Sequence, residues 1–290
     1  MSQFSIKDIE QLTGIKAHTL RIWEQRYSLP LPKRTPTNIR YYDDDDLRLL
    51  LNIAMLNQHG HKISRISRLT QDEIGKLAIE LSLQTKNQSV HIQSLVSCML
   101  DLDEASFDKV LSSCLLQQGL ESTMMEVVFP FMSMVGVLWQ TGTLDLAYEH
   151  FMSGMLRQKL IVAIDGQTVR LRDDARNFML FLPEGENHEL GLLFANYLVR
   201  AAGHRALYLG QNLPLANLES IDSRFSPDFI FTSMTTGYSR AVAEGIVQEL
   251  TVKFPKAQIL LTGKYFLESD RDYPANISLV RTPEDLKRYF

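Results

Sequence analysis

From Asn177 onward, five short apolar runs (NFMLFL, RALYLG, DFIFTS, QILLTG and ISLV) alternate with helix-length segments. Each run is too short for a buried helix and rich in aliphatic or aromatic residues, so each reads as a strand. Helices are predicted near residues 189–202, 215–224, 238–254, 265–270 and 283–289. Strands that alternate with helices close as a parallel, doubly wound sheet of the flavodoxin-like kind, because parallel neighbours need long crossovers and helices supply them. In such sheets ligands sit beyond the carboxyl ends of the strands. The loop after the first run holds ENHELG, Glu186 to Gly191, and so places His188 between acids where a ligand would lie.

Upstream the pattern is helical. Residues 75–170 contain almost no proline. Phe107, Val110, Leu111, Cys114 and Leu115 recur at helical spacing, as do Met124, Val127, Val128, Phe131, Met134, Val135 and Leu138. With a helix near 87–100 and another from Leu144 or Leu146 to about Ile164, these make a four-helix bundle. The eleven methionines are filler in these cores.

The first segment differs again. Ser5 followed by Asp8 is a helix start with its own cap. Ile6, Ile9 and Leu12 share a face, Gly14 breaks the helix, and a second helix begins near Ala17. Leu20, Trp23 and Tyr27 face inward on it, which leaves His18, Thr19, Arg21, Glu24, Gln25 and Arg26 outside. Two short helices joined by a glycine turn, the second studded with donors, form a helix-turn-helix. LPLPKRTPTNIRYYDDDD then carries Lys33, Arg34 and Arg40 around a Pro-Thr-Asn turn, a small β-hairpin wing. Asp43 to Asp46 suit the N-terminus of a following helix, where backbone N–H groups favour acids. Charge agrees: the first 68 residues hold 11 Lys and Arg against 7 Asp and Glu, although the whole chain is net −4. A basic end on an acidic body points to a nucleic-acid module.

TLRIWEQRY, RTPTNIRYYDDDDLRLL and HGHKISRI resemble the winged helix of MerR-type transcription regulators over about residues 3–70. That likeness implies Arg21, Tyr27, Arg34 and Arg40 as contacts to a double-stranded DNA operator, with His18 and Thr19 on the same outer face. Asn38 stands where the family's wing has glycine. Asparagine tolerates the left-handed conformation, so the wing is expected to form.

In the bundle, LWQTGTLDLAYEHFMS resembles the W-x9-EH signature of light-sensing cobalamin regulators of the CarH/LitR type. The resemblance implies that Trp139, Glu149 and His150 line the upper face of a corrin. Cobalamin domains carry D-x-H-x-x-G after their first strand, and this chain reads E-x-H-x-x-G. His188 is then implied as the lower cobalt ligand, Glu186 as the acid that orients it, and Gly191 as the point where the cofactor's tail passes. LYLGQNLP resembles the L-G-x-x-x-P element, at Leu209 and Gly210. Ser233 and Gly263 match the serine and first glycine of two further elements, but Thr235 and Lys264 replace an apolar residue and a second glycine.

The reading is therefore a multidomain α and α/β chain: a winged helix-turn-helix at 1–74, a helical bundle at 75–172 and a cobalamin domain at 173–290. It is a DNA-binding regulator rather than an enzyme, sensing cobalamin, with adenosylcobalamin the expected form. It self-associates as a dimer or tetramer, and it resides in the cytoplasm without a membrane segment. Three alternatives remain: a regulator whose degenerate pocket holds another ligand or a protein, a cobalamin-dependent methyltransferase or mutase, against which no substrate barrel is seen, and a linear tetrapyrrole or haem held by His150 or His188. Of the other histidines, His59 and His61 flank a turn, His91 is expected at the surface, and His204 follows a helix end that favours positive charge.

Overall fold

The computed structural model describes residues 4–29, 32–35, 38–84, 87–140, 145–168, 170–218, 221–235, 240–267 and 273–290, without the side chains of 82–84, 137–140, 222–223 and 240. Its packing divides the chain into two compact units, Met1–Met155 and Leu156–Phe290.

The first unit begins with α1 (Ile6–Thr13), capped by Ser5, which accepts from the Asp8 amide while Asp8 reaches back to the Ser5 amide. Gly14 ends it in the left-handed conformation, at φ 73°. Helix α2 (Ala17–Tyr27) buries Leu20 and Trp23, while Tyr27 is half-buried. Strands β1 (Lys33–Arg34) and β2 (Arg40–Tyr41) pair antiparallel as the wing. Asn38 has φ 65°, as the sequence required, and its side-chain oxygen accepts from Arg34 at 2.8 Å.

Helix α3 (Asp44–Gln58) is capped by Asp43 paired reciprocally with Asp46, which explains the aspartate run; a cap of this kind stabilises by about 1 kcal/mol. Every residue from Leu49 to Leu56 on α3 is buried. The reason is its neighbours. It packs against α1, against the short α4 (Ile63–Ile66), and against α5 (Gln71–Gln84) and α6 (Gln88–Leu100). Arg48 on α3 is ion-paired with Asp101 at the end of α6. The helix-turn-helix and the bundle thus share a core.

Helix α7 (Glu104–Thr123) is broken at Gly119, whose φ of 79° lies outside the helical range, and runs into a π-helical turn at Met124–Val128. Helix α8 (Phe129–Gln140) follows, then α9 (Leu146–Asp165). Phe107 packs edge-on against Phe131 and Phe151, with centroids 5.9 and 5.7 Å apart. Cys98 and Cys114 are buried and unbridged, and burial pushes their thiols up to about 12 and about 11. His91, expected at the surface, is instead buried in α6 at 1% exposure, because α6 is covered on nearly every side by its neighbours.

The second unit is the predicted parallel sheet. Its strands are β3 (Asn177–Pro183), β4 (Arg205–Leu213), β5 (Phe229–Ser233), β6 (Gln258–Thr262) and β7 (Ile277–Leu279), in spatial order β4-β3-β5-β6-β7. Every pairing is parallel. The helices are α10 (Leu190–Ala201), α11 (Asp222–Phe225), α12 (Arg240–Lys253), α13 (Lys264–Leu267) and α14 (Pro283–Lys287). The predicted helix at 215–224 is split into a 3-10 turn, Leu215–Leu218, and α11. Chain order reverses at β3, between β4 and β5, which is where ligands enter such sheets.

His204 is 2% exposed between the rings of Phe178 and Phe290. Its Nδ1 accepts from the Arg176 amide at 3.1 Å. Burial and the charges of Arg172 and Arg176 lower its pKa, outweighing Asp174, so the positive charge expected from its helix end is not favoured there.

Candidate functional site

The loop after β3 is held by an accounting of backbone donors. Gly185 N–H donates to the Asn212 side chain at 2.8 Å, and Asn212 N–H donates back to the Glu186 carbonyl at 3.1 Å. Glu186 itself is 1% exposed. Its Oε1 accepts from the amides of Asn187 and His188, both at 3.0 Å, and its Oε2 accepts from the Thr235 amide at 2.6 Å. The Nδ1 of His188 lies 2.5 Å from Glu186 Oε1. Burial raises the Glu186 pKa, but the bonds from the His188 ring and from the Thr235 and His188 amides outweigh it and hold the carboxyl below the usual range. An ionised carboxylate accepts, so Nδ1 carries the proton and Nε2 the lone pair. The His188 side chain is 57% exposed, at the mouth of the loop.

These residues fit a cobalt macrocycle. Among the described residues no cluster of three or more His, Cys, Asp or Glu could hold a bare metal ion, whereas a corrin metal needs only one nitrogen from the protein. The opening turn of α10 offers room: a Cβ built at Gly191 meets nothing within 4 Å. At β4 the register with β3 slips, since Leu180 pairs Tyr208 but Phe181 pairs Gly210. Leu209 is the extra residue of this bulge and Gly210 takes φ 80°, a device that bends a strand beside a site.

Ser233 ends β5 with 9% exposure. Gly263, at φ 97°, packs so tightly on β5's end that a Cβ would lie 2.3 Å from the Met234 carbonyl oxygen. Its glycine requirement is set by the protein's own backbone. Thr235 contributes its amide to Glu186, a role indifferent to its side chain. Lys264 is exposed at the start of α13.

In the bundle, Trp139 lies within α8, but its side chain falls outside the described residues. Glu149 and His150 lie near the start of α9, with Oε2 to Nδ1 at 3.4 Å and side chains 35% and 70% exposed. On the helix-turn-helix His18, Arg21, Gln25 and Arg26 are exposed on α2, and Thr19 is half-buried beside His18. Arg34 is exposed on the wing. Arg40 is less open: its Nε lies 3.5 Å from Glu24, whose other oxygen accepts from Tyr42 at 2.7 Å. It ties the wing to α2.

Four residues escaped the sequence reading. Asn212 braces the histidine loop. Glu189, beside His188, is paired with Arg157 of α9 and accepts from the Tyr208 hydroxyl at 2.9 Å. Burial and the Glu189 charge push the Tyr208 pKa up. No motif announces them, because their partners lie 19 to 32 residues away.

Residues 4–73 match the MerR HTH family regulatory proteins, and residues 91–163 match the B12 binding domain. The chain thus joins a segment similar to MerR HTH regulatory proteins to a segment similar to the B12 binding domain. The chain is similar to the HTH-type transcriptional repressor CarH of Myxococcus xanthus, 29% identical over 87% of this chain and 86% of that protein. It is 27% identical to the repressor CarA of the same organism, over 79% of this chain and 75% of that one. In fold, 66% of the chain superposes on 93% of the monomethylamine corrinoid protein of Methanosarcina barkeri, with a TM-score of 0.51 at 13% identity. Among the described residues no helix is long and apolar enough to cross a membrane.

Proposed function

We propose that this chain represses transcription from a double-stranded DNA operator and that its C-terminal half senses a cobalamin, adenosylcobalamin in the resting state, to control self-association and operator binding. The observation that carries the reading is the Glu186–His188 pair at the carboxyl end of β3, beside the topological switch point. A bound cobalamin would supply a cobalt ion able to accept one nitrogen from the protein and to carry an exchangeable ligand.

His188 offers Nε2 as that nitrogen. Glu186 fixes the ring's tautomer and direction, and the Thr235 amide fixes Glu186. Gly191, Leu209, Gly210, Ser233 and Gly263 shape the space for the cofactor's tail. Trp139, Glu149 and His150 would face the cofactor's exchangeable ligand and decide which cobalamin form is read, and a light-sensitive form would let illumination bias the population between a DNA-bound and a released state. His18, Thr19, Arg21, Tyr27, Arg34 and Arg40 contact DNA, with two copies reading two half-sites as a dimer or within a tetramer in the cytoplasm. Similarity to two repressors, together with the helix-turn-helix, supports a regulator rather than a methyltransferase or mutase.

The test is an ultraviolet–visible spectrum of protein desalted after dark incubation with adenosylcobalamin, beside His188→Ala. Retained corrin absorbance, shifted in the wild type and unshifted or lost in the variant, establishes His188 as the ligand. No retained corrin in either protein overturns the reading in favour of a regulator with a degenerate pocket.

A further inference from the structure

Glu189 sits at the N-cap position of α10, yet its side chain makes no capping bond. Its carboxylate is 10% exposed and turned to two other partners. One oxygen is paired with the Arg157 guanidinium on α9, and the other accepts from Tyr208 on β4, the residue just before the bulge. A buried carboxylate that forgoes the nearby amides of its own helix does so because two stronger donors hold it.

His188 therefore lies between two anchored carboxylates. On one side Glu186 ties the loop to the end of β5 through the Thr235 amide. On the other, Glu189 ties it to α9 and β4. Glu186 sets which way the ring turns, but it lies in the same loop and moves with it. Asn212 braces the start of the loop to β4, and the Glu189 anchor adds the tie to α9 directly beside His188.

We infer that Arg157, Glu189 and Tyr208 form a clamp that positions His188 for axial ligation, so that the placement of α9 is transmitted to the cobalt–nitrogen bond; the inference rests on the function proposed above. A metal–nitrogen bond tolerates displacements of only a few tenths of an ångström, so a loop released from the clamp presents Nε2 at the wrong height even when Glu186 still holds the ring. α9 also carries Glu149 and His150 near its start. A displacement of this helix reaches His188 through one ion pair, without any change in Glu186. Arg157 and Tyr208 are positioning residues: they touch neither the metal nor its macrocycle in this role.

The test compares full-length wild type with Arg157→Met, Arg157→Lys and Tyr208→Phe. In cofactor-free protein, amide hydrogen exchange across residues 186–191 reads the clamp directly. Arg157→Met is expected to raise it by about tenfold or more, with β5 and β6 unchanged, and Arg157→Lys by less. In protein loaded with cob(II)alamin, the electron paramagnetic resonance splitting from one protein nitrogen reads ligation. Arg157→Met and Tyr208→Phe are expected to reduce the ligated fraction, with Arg157→Lys restoring part of it. Unchanged loop exchange in both Arg157→Met and Tyr208→Phe overturns the clamp, and so does an unchanged nitrogen splitting. A wild type that shows no nitrogen splitting overturns the ligand role of His188, while loop exchange still decides whether the clamp exists.

Discussion

Glu186 Oε1 and His188 Nδ1 lie 2.5 Å apart while the Thr235 amide occupies the other carboxylate oxygen. The acid is thus an acceptor on every side. Glu186→Gln puts an amide donor against one of these donors, which costs about 1–3 kcal/mol in a buried position. Cobalamin affinity is expected to fall by about 10- to 100-fold, measured by spectroscopic titration. Affinity within twofold of wild type would remove Glu186 as the orienting group.

Asn38 carries the wing turn at φ 65°. Asn38→Gly keeps that conformation and leaves operator affinity close to wild type. Asn38→Val places a β-branched residue there at a cost of about 1–2 kcal/mol, and gel-shift affinity should drop. Equal affinity for both variants would mean that the wing contributes nothing to binding.

Arg34 and Arg40 separate two roles. Arg34 is exposed, so Arg34→Ala should lower the slope of log affinity against log salt by about one. Arg40 is shared with Glu24, so Arg40→Ala should weaken binding broadly with a smaller change of slope. Titrations at several salt concentrations distinguish the two.

Leu50 is fully buried on α3, the helix between the DNA-reading pair and the bundle. Leu50→Ala should destabilise by about 2–5 kcal/mol. Hydrogen exchange should rise in α1 and α6 together. Loosening of α1 alone would show that the winged helix unfolds as an independent module.

The lowered pKa of His204 sets a pH dependence. In the unfolded chain this imidazole takes a proton near pH 6.5, whereas in the folded chain it resists until lower pH. The unfolded state therefore binds more protons in that window, and stability falls as pH drops below about 6.5. His204→Phe should flatten that part of the stability curve, followed by urea denaturation between about pH 5 and 7.

Much of this was legible in residue order. The five strands, the capped first helix, the aspartate cap of α3 and the left-handed Asn38 all follow from local rules, because period, capping and turn chemistry act over a few residues. His188 and Glu186 were legible too, since two positions in one loop cannot lie far apart. The broken helix at 215–224 and the burial of His91 were not, because each depends on what packs against it.

By itself, then, the sequence determined the elements, their order and the chemical types at the strand ends, where neighbours in the chain are neighbours in space. Only the tertiary structure decided that Thr235's amide serves Glu186, that Arg40 answers Glu24, and that Arg157 and Tyr208 meet at Glu189. Those pairings cross from 16 to 49 residues of chain. No local propensity encodes them; they exist because the sheet order and the packed helices bring distant side chains within bonding distance.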